Sequence, residues 1–238
     1  MRLDFTSCDD SEISELGTYL FNRYHSNYES QEEVAQYLAT EFYNRLLVGK
    51  EDHVFALIRI FRFGPFSTLP LSLREQAGIT NPADDYWLAL MGTYGDEAQW
   101  RHRTLSKGHQ VFPARADFTP MLKEAFAQMM LTPGDNLTVE DVQVLLNQEG
   151  DRPYRRAFHI ENAVGSPHIP VQGEFVLRHG IRSVVGFSGL YTNRAGFMCL
   201  GFSSIPINEA RFRKALRLAP AVARLLAIYE GRGVIWNV

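Results

Sequence analysis

The chain has 238 residues, 45% of them hydrophobic and 21% charged, with a formal net charge of −3. That length suffices for one large core, and the slight negative balance argues against a nucleic-acid surface spread over the whole chain, leaving room only for a local basic patch. Cys8 and Cys199 lie far apart and make neither a disulfide framework nor a zinc motif. No apolar run reaches membrane-spanning length, and MRLDFTSCDD lacks the charged start and apolar stretch of a secretory signal, so a soluble, cytoplasmic protein is expected.

In chain order, Asp9 and Glu12 form a capping pair for a helix to Tyr24, with Ile13, Leu16 and Leu20 at helical spacing. Ser30 and Glu33 make an S-x-x-E capping box for a second helix, which Val34, Tyr37, Leu38, Phe42 and Leu46 supply with one apolar face and Gly49 ends. Residues His53–Phe63 alternate as a strand: Val54, Ala56, Ile58 and Ile60 on one face, Phe55, Leu57, Arg59, Phe61 and Phe63 on the other. Apolar side chains on both faces mark a central, doubly covered strand. Arg59 is then an inward-pointing charge, which needs a carboxylate, an anionic ligand or a route to the edge.

Gly64 and Pro65 break that strand before a short helix over Leu69–Ala77. Tyr86–Tyr94 is the next strand candidate, although its apolar run also fits a helix. The polar segment Gly95–Gly108 is expected to cover a sheet edge or a pocket mouth. Pro120–Met130 is amphipathic through Met121, Leu122, Phe126 and Met129, with Pro133 and Gly134 closing it. Thr138 and Asp141 open another helical candidate, RPYRR (Arg152–Arg156) is a local basic cluster, and Ala157–Ile160 is a short strand. After the turn-rich Gly165–Pro170, the stretch Phe175–Ile207 carries two buried strands, Ile181–Leu190 and Gly196–Ser203, with small residues between large ones. Asn208 caps a final helix to about Tyr229, kinked at Pro220. Its apolar stripe includes Phe212, Ala219, Leu226 and Tyr229, which are candidate contact residues for self-association.

Helices at both ends bracketing several strands give an α+β order in one domain, residues 1–238, with residues 1–28 a helical extension and 208–230 the C-terminal helix. The passages LATEFYNRLL…FALIRIFRFGPFSTLP, GTYGDEAQWRHRTLSKGHQVFP and GSPHIPVQGEFVLRHGIRSVVGFSGL followed by GFMCLGFSSIPI carry a resemblance across most of Val34–Ile228. In order and spacing they resemble the GAF-like input domains that stand N-terminal to PAS, histidine-kinase and other bacterial output modules. The resemblance implies a six-stranded antiparallel sheet with terminal helices on one face and irregular helical and loop segments over a pocket on the other. It also implies a non-catalytic signalling role. The chain then acts either alone through a separate partner or as one piece of a longer protein. A homodimer and a separate kinase, cyclase or phosphatase output protein are the partners expected.

No catalytic pattern accompanies this. His102 and His109 are not an H-E-x-x-H pair, and His159-x-Glu161 lacks the P-C-x-x-C of zinc deaminases. Ser188 in GFSGL misses a nucleophile elbow because Leu190 stands where glycine is required. A haem sensor needs an axial His or Cys, for which His109, His159 and Cys199 are available and none is singled out. No cofactor is identified. A ligand pocket is expected over the face of Arg59 and Phe61, lined by Trp100, His109, Arg155 and His159 beneath Gly95–Pro113 and Arg152–Pro170. The alternatives are a face filled by the protein's own Phe and Met side chains, which makes an interaction or dimerisation module, and, behind these, a haem sensor or an enzyme.

Overall fold

Capping chemistry opens the first two helices. Asp9 Oδ1 accepts from the N–H groups of Ser11 and Glu12 at 2.8 and 2.9 Å, and Glu12 Oε2 accepts from the Asp9 N–H, starting α1 (Asp10–Arg23). Ser30 caps α2 (Gln31–Arg45) by accepting from the Glu33 N–H, while Glu33 reaches back to the N–H of Glu29. The second helix stops short of Gly49. Leu46–Val48 leaves it as strand β2, which pairs parallel with β1 (Leu3–Asp4) and antiparallel with β3 (Asp52–His53). The apolar residue Leu46, helical by spacing, is claimed instead by a strand from the chain's start: tertiary pairing overrides local propensity.

The computed structural model describes residues 1–23, 28–78, 80, 83–106, 108–129, 137–138, 141–143, 156–191 and 193–237. Six strands make the main sheet: β4 (Phe55–Pro65), β5 (Tyr86–Gly95), β6 (Val111–Pro113), β7 (Arg156–Ile160), β8 (Ser183–Leu190) and β9 (Gly196–Ser203). Their order is β6-β5-β4-β9-β8-β7, antiparallel throughout, so β4 and the hairpin strand β9 lie at the centre. This is the α+β, six-stranded architecture expected from the sequence. The apolar run Tyr86–Tyr94 is a strand, and the short edge strand β6 falls inside a segment read as irregular cover.

Two irregularities change which residues share a face. The ladder between β4 and β9 shifts between Phe55 and Leu57, so Phe55 packs with Ile58 and Ile60, and Ala56 with Leu57 and Phe61. Strict alternation had exchanged Phe55 and Ala56; a bulge adds one residue and reverses the phase before it. A second shift between Ile60 and Phe61 lets Gly92 lie beneath α2. A Cβ there would stand 2.3 Å from the Ala35 backbone, so only glycine permits this approach.

One face of the sheet is covered by α1, α2, α5 (Glu209–Ala215) and α6 (Ala219–Arg232), the last two following the short α3 (Leu71–Ala77) and α4 (Pro120–Gln128) in the chain. The expected single C-terminal helix is divided by a 3-10 turn, Leu216–Leu218, and Pro220 sits in the first turn of α6, where its missing N–H costs no helical bond. The opposite face is covered by α4, two 3-10 turns (Ala98–Trp100 and Arg103–Leu105) and a π-helical turn at Gln172–Leu177. The terminal helices on one face and irregular segments on the other follow the expected arrangement.

The apolar stripe of the C-terminal helices faces inward. Leu226 and Tyr229 are each 1% exposed, and Phe212 and Ala219 are buried with them against α1, α2 and the sheet. These four residues, expected to form a contact surface, are consumed by the chain's own core. Amphipathicity reports that a face must be buried and is silent about which protein buries it.

Candidate functional site

Position 59 lies on the sheet face away from the terminal helices, between Leu57 and Phe61 along β4 and opposite Thr93 on β5. The Arg59 side chain is largely buried. Among the described residues no carboxylate forms an ion pair with it, and its Nε has no hydrogen-bond partner. Its one polar contact is a long hydrogen bond from Nη2 to Ser106 Oγ at 3.4 Å. Burial without a counter-charge lowers the guanidinium pKa to about 10, which still leaves it charged at neutral pH. Directly across the ladder, Thr93 is fully buried and its Oγ1 also lacks a partner. Two orphaned polar groups therefore sit side by side on one face. Most buried polar groups in folded proteins are satisfied, so a neighbouring pair of exceptions is a signal.

The loop over these groups is pinned. Arg103 makes a two-pronged ion pair with Glu32 at the start of α2, at 2.5 and 2.9 Å. Gln110 Nε2 donates to the carbonyls of Arg103 and Ser106, and the Gln110 carbonyl accepts from the Leu90 N–H on β5 at 2.8 Å. These bonds hold Ser106 over Arg59. Gly108 and His109 then take successive left-handed conformations, φ 75° and 55°, the second strained for a residue with a side chain. His109 sits at the outer edge, its ring edge-on to Phe112 at 6.3 Å. Partial desolvation, then the nearby Arg59 charge, lower its pKa from the ordinary 6.5, so the ring is neutral at pH 7.

His109 also differs from the other described histidines. His53 and His159 bond backbone carbonyls, His102 bonds Thr104, and His168 and His179 approach Glu124 and Glu97. His109 alone among them has neither a hydrogen bond nor a carboxylate.

The structure brings together Arg59, Phe61, Trp100 and His109 on one side of the sheet. Phe61 packs edge-on to Phe112 at 5.4 Å, and Trp100 lies nearer the Gly95 end, against Phe175 and His179. His159 does not join them. It stacks on Phe212 at 4.5 Å and bonds the Ile207 carbonyl at 2.7 Å, on the helix-covered face. Phe158 and Ile160 take the Arg59 side, and alternation sends the residue between them the other way. Arg155 lies outside the described residues. Sequence reading missed Thr93 and Ser106. Their legible signal was a hydroxyl inside an otherwise apolar strand, and a small polar residue five positions past the Trp100-Arg101 pair.

Other reactive groups are packed away. Cys199 lies in the helix-side core, and burial pushes its thiol up to about 12. It and His159 stand on the wrong face for an axial ligand in the expected pocket. Ser188 Oγ is buried against the Met129 sulfur at 3.4 Å. Among the described residues no three His, Cys, Asp or Glu side chains cluster as metal ligands, and no helix is long and apolar enough to cross a membrane.

Most of the face around Arg59 is filled by Phe126, Met129, Val142, Ile169 and Val176, and one cavity there, beside Phe63 and Met198, measures about 10 Å³. An apolar cavity of about 30 Å³ lies beneath the terminal helices, room for one water. A larger hollow of about 480 Å³ at the sheet's end is bordered by Val48, Asp52, His53 and Asp96, with Asp96 engaged by the Tyr43 hydroxyl at 2.6 Å. Among the described residues neither of these two holds an orphaned buried group; the Arg59 face does.

No family model and no curated protein matches the chain. Solved structures similar to it include the GAF domain of a Coxiella burnetii phosphoenolpyruvate-protein phosphotransferase: 11% identity, 95% of this chain and 97% of that chain covered, TM-score 0.49. The phycoerythrobilin-bound GAF domain of a cyanobacterial phytochrome matches at 11% identity over 95% and 98% of the two chains, TM-score 0.46. A GAF domain from an Acinetobacter phosphoenolpyruvate-protein phosphotransferase matches at 12% over 96% and 99%, TM-score 0.43. A six-stranded antiparallel order, with helices from both ends on one face, is the architecture of this chain. At these identities the ligands of those proteins remain properties of those proteins, and the sheet here is characterised by its own Arg59.

Proposed function

We propose that this chain is a non-catalytic regulatory module that binds a small molecule against the sheet face carrying Arg59. The observation that supports it is the largely buried Arg59, unpaired among the described residues, beside the similarly orphaned Thr93 hydroxyl. Such groups are costly in a protein that leaves them empty and useful in one that fills them. A route for transmission starts at the same place. Arg103, in the loop above Arg59, grips Glu32. Glu32 in turn accepts from the Asn237 N–H and gives its own N–H to the Ile235 carbonyl. A ligand that favours one position of this loop would shift the C-terminal segment only through different affinity for the two arrangements.

A second reading has its own support. The packing of α4 and the π-helical turn on the sheet favours a ligand-free interaction module, with any second copy meeting residues other than the buried stripe of α5 and α6. Thermal unfolding in the presence of nucleotides, haem and common small metabolites separates the two. Sensing requires a saturable rise in melting temperature that Arg59→Met loses. No response to any compound, together with a concentration-dependent dimer, would favour the interaction module.

A further inference from the structure

Resting on the sensing reading, we propose that Arg59, Thr93, Ser106 and His109 form a receptor for the oxyanion group of a small ligand, a carboxylate or a phosphate. Among the described residues Arg59 Nε has no partner and the one hydrogen bond of the side chain, to Ser106, is long enough to be exchanged. A guanidinium presents its donors as a planar fork that fits two oxygens of one anion. Thr93, opposite on the ladder, has an uncommitted hydroxyl that can donate to the same group, and Ser106 can turn its hydroxyl from Arg59 to the anion.

Charge argues for the class. The Arg59 cation has no acid paired with it among the described residues, while Arg62, Arg103 and Arg115 each meet a carboxylate. A neutral ligand would satisfy the donors and leave the charge uncompensated; an oxyanion does both. His109, at the edge and without a partner among the described residues, adds a donor and a second positive charge when protonated. Among the described residues the groups facing it are Arg59, whose charge opposes that protonation, and the ring of Phe112. A bound anion reverses the balance, so binding and proton uptake at His109 are coupled.

The test uses the full chain with sulfate, inorganic phosphate and acetate as probes, read by thermal shift and titration calorimetry. At least one probe is expected to saturate. Its affinity should fall about tenfold or more in Arg59→Met and several-fold in Thr93→Val, in line with the loss of charged and neutral hydrogen bonds. General salting-out by sulfate does not saturate and persists in both variants, which separates it from binding. Acetate without phosphate assigns a carboxylate, and the reverse assigns a phosphate. Sulfate holds its charge between about pH 5 and 8, so tighter sulfate binding toward low pH in the wild type, flat in His109→Gln, reports the histidine. Equal affinity in Arg59→Met, or no binding of the three probes, overturns the proposal. If a neutral metabolite binds through Arg59 while the probes fail, the oxyanion class falls and sensing stands. If nothing binds, both fall.

Discussion

Arg59 and Arg62, three positions apart on β4, point to opposite faces of the sheet and are provided for in opposite ways. Arg62 meets Glu230 of α6 through two bonds, Nε to Oε2 at 3.1 Å and Nη2 to Oε1 at 2.9 Å. The same carboxylate accepts from Gln31 at 3.0 Å and Asn193 at 2.7 Å, so α2, α6, the central strand and the hairpin turn converge on one buried charge pair. Among the described residues Arg59 has Ser106 alone. The structural ion pair that an inward-facing arginine calls for is present on this strand, and it belongs to Arg62.

This contrast gives Arg59→Met an unusual sign. Removing a buried donor that lacks a partner should stabilise the protein, by about 1–3 kcal/mol, because the desolvation cost disappears and the methylenes are replaced. Urea unfolding measures it. A loss of stability would mean that Arg59 is held by a partner and serves the fold.

Arg62→Met should do the reverse. It leaves Glu230 buried without its counter-charge, at a cost of roughly 3–5 kcal/mol, and Arg62→Met combined with Glu230→Leu should recover much of that loss. Burial works to raise the Glu230 pKa, but Arg62, Asn193 and Gln31 outweigh it and the net shift is downward from 4.5. A carboxylate depressed on folding stabilises above its unfolded pKa. That contribution is therefore present above about pH 4.5 and lost as pH falls through the folded value. Acid unfolding of Glu230→Gln should be shallower over this window.

His109 titrates with the same sense. Its folded pKa is lowered from 6.5, so the unfolded chain takes up the proton first. Stability should be flat above that value and decline as pH falls below it, levelling once the folded histidine is also protonated. Unfolding curves of His109→Gln between about pH 7.5 and 5 should lack this component. An unchanged profile would show that the loop does not hold the ring near Arg59.

Gly92→Ala tests the approach of α2 to the sheet. The added methyl meets the Ala35 backbone, which cannot yield without moving the helix, so a loss at or above the upper end of the ~1–3 kcal/mol typical of overpacking is expected. Chemical denaturation would detect it, and a neutral outcome would place α2 farther from β5 than described.

The sequence by itself determined much of the frame. Capping residues Asp9, Ser30 and Asn208, alternation along β4 and β9, and Pro220 placed the helices and central strands, since each is a local rule with a local cause. It also marked Arg59 as a charge in an apolar strand. Which of its possible partners that charge has was decided only in three dimensions. The Phe55 bulge and the partition of Phe158, His159 and Ile160 set which residues share its face, and strand pairing placed Thr93 opposite it. The Arg103–Glu32 pair, joining residues 71 positions apart, suspends Ser106 above it. The inward turn of the Leu226 stripe has the same origin. Periodicity states that a side chain must be buried or a charge met; the long-range packing of the chain determines by what.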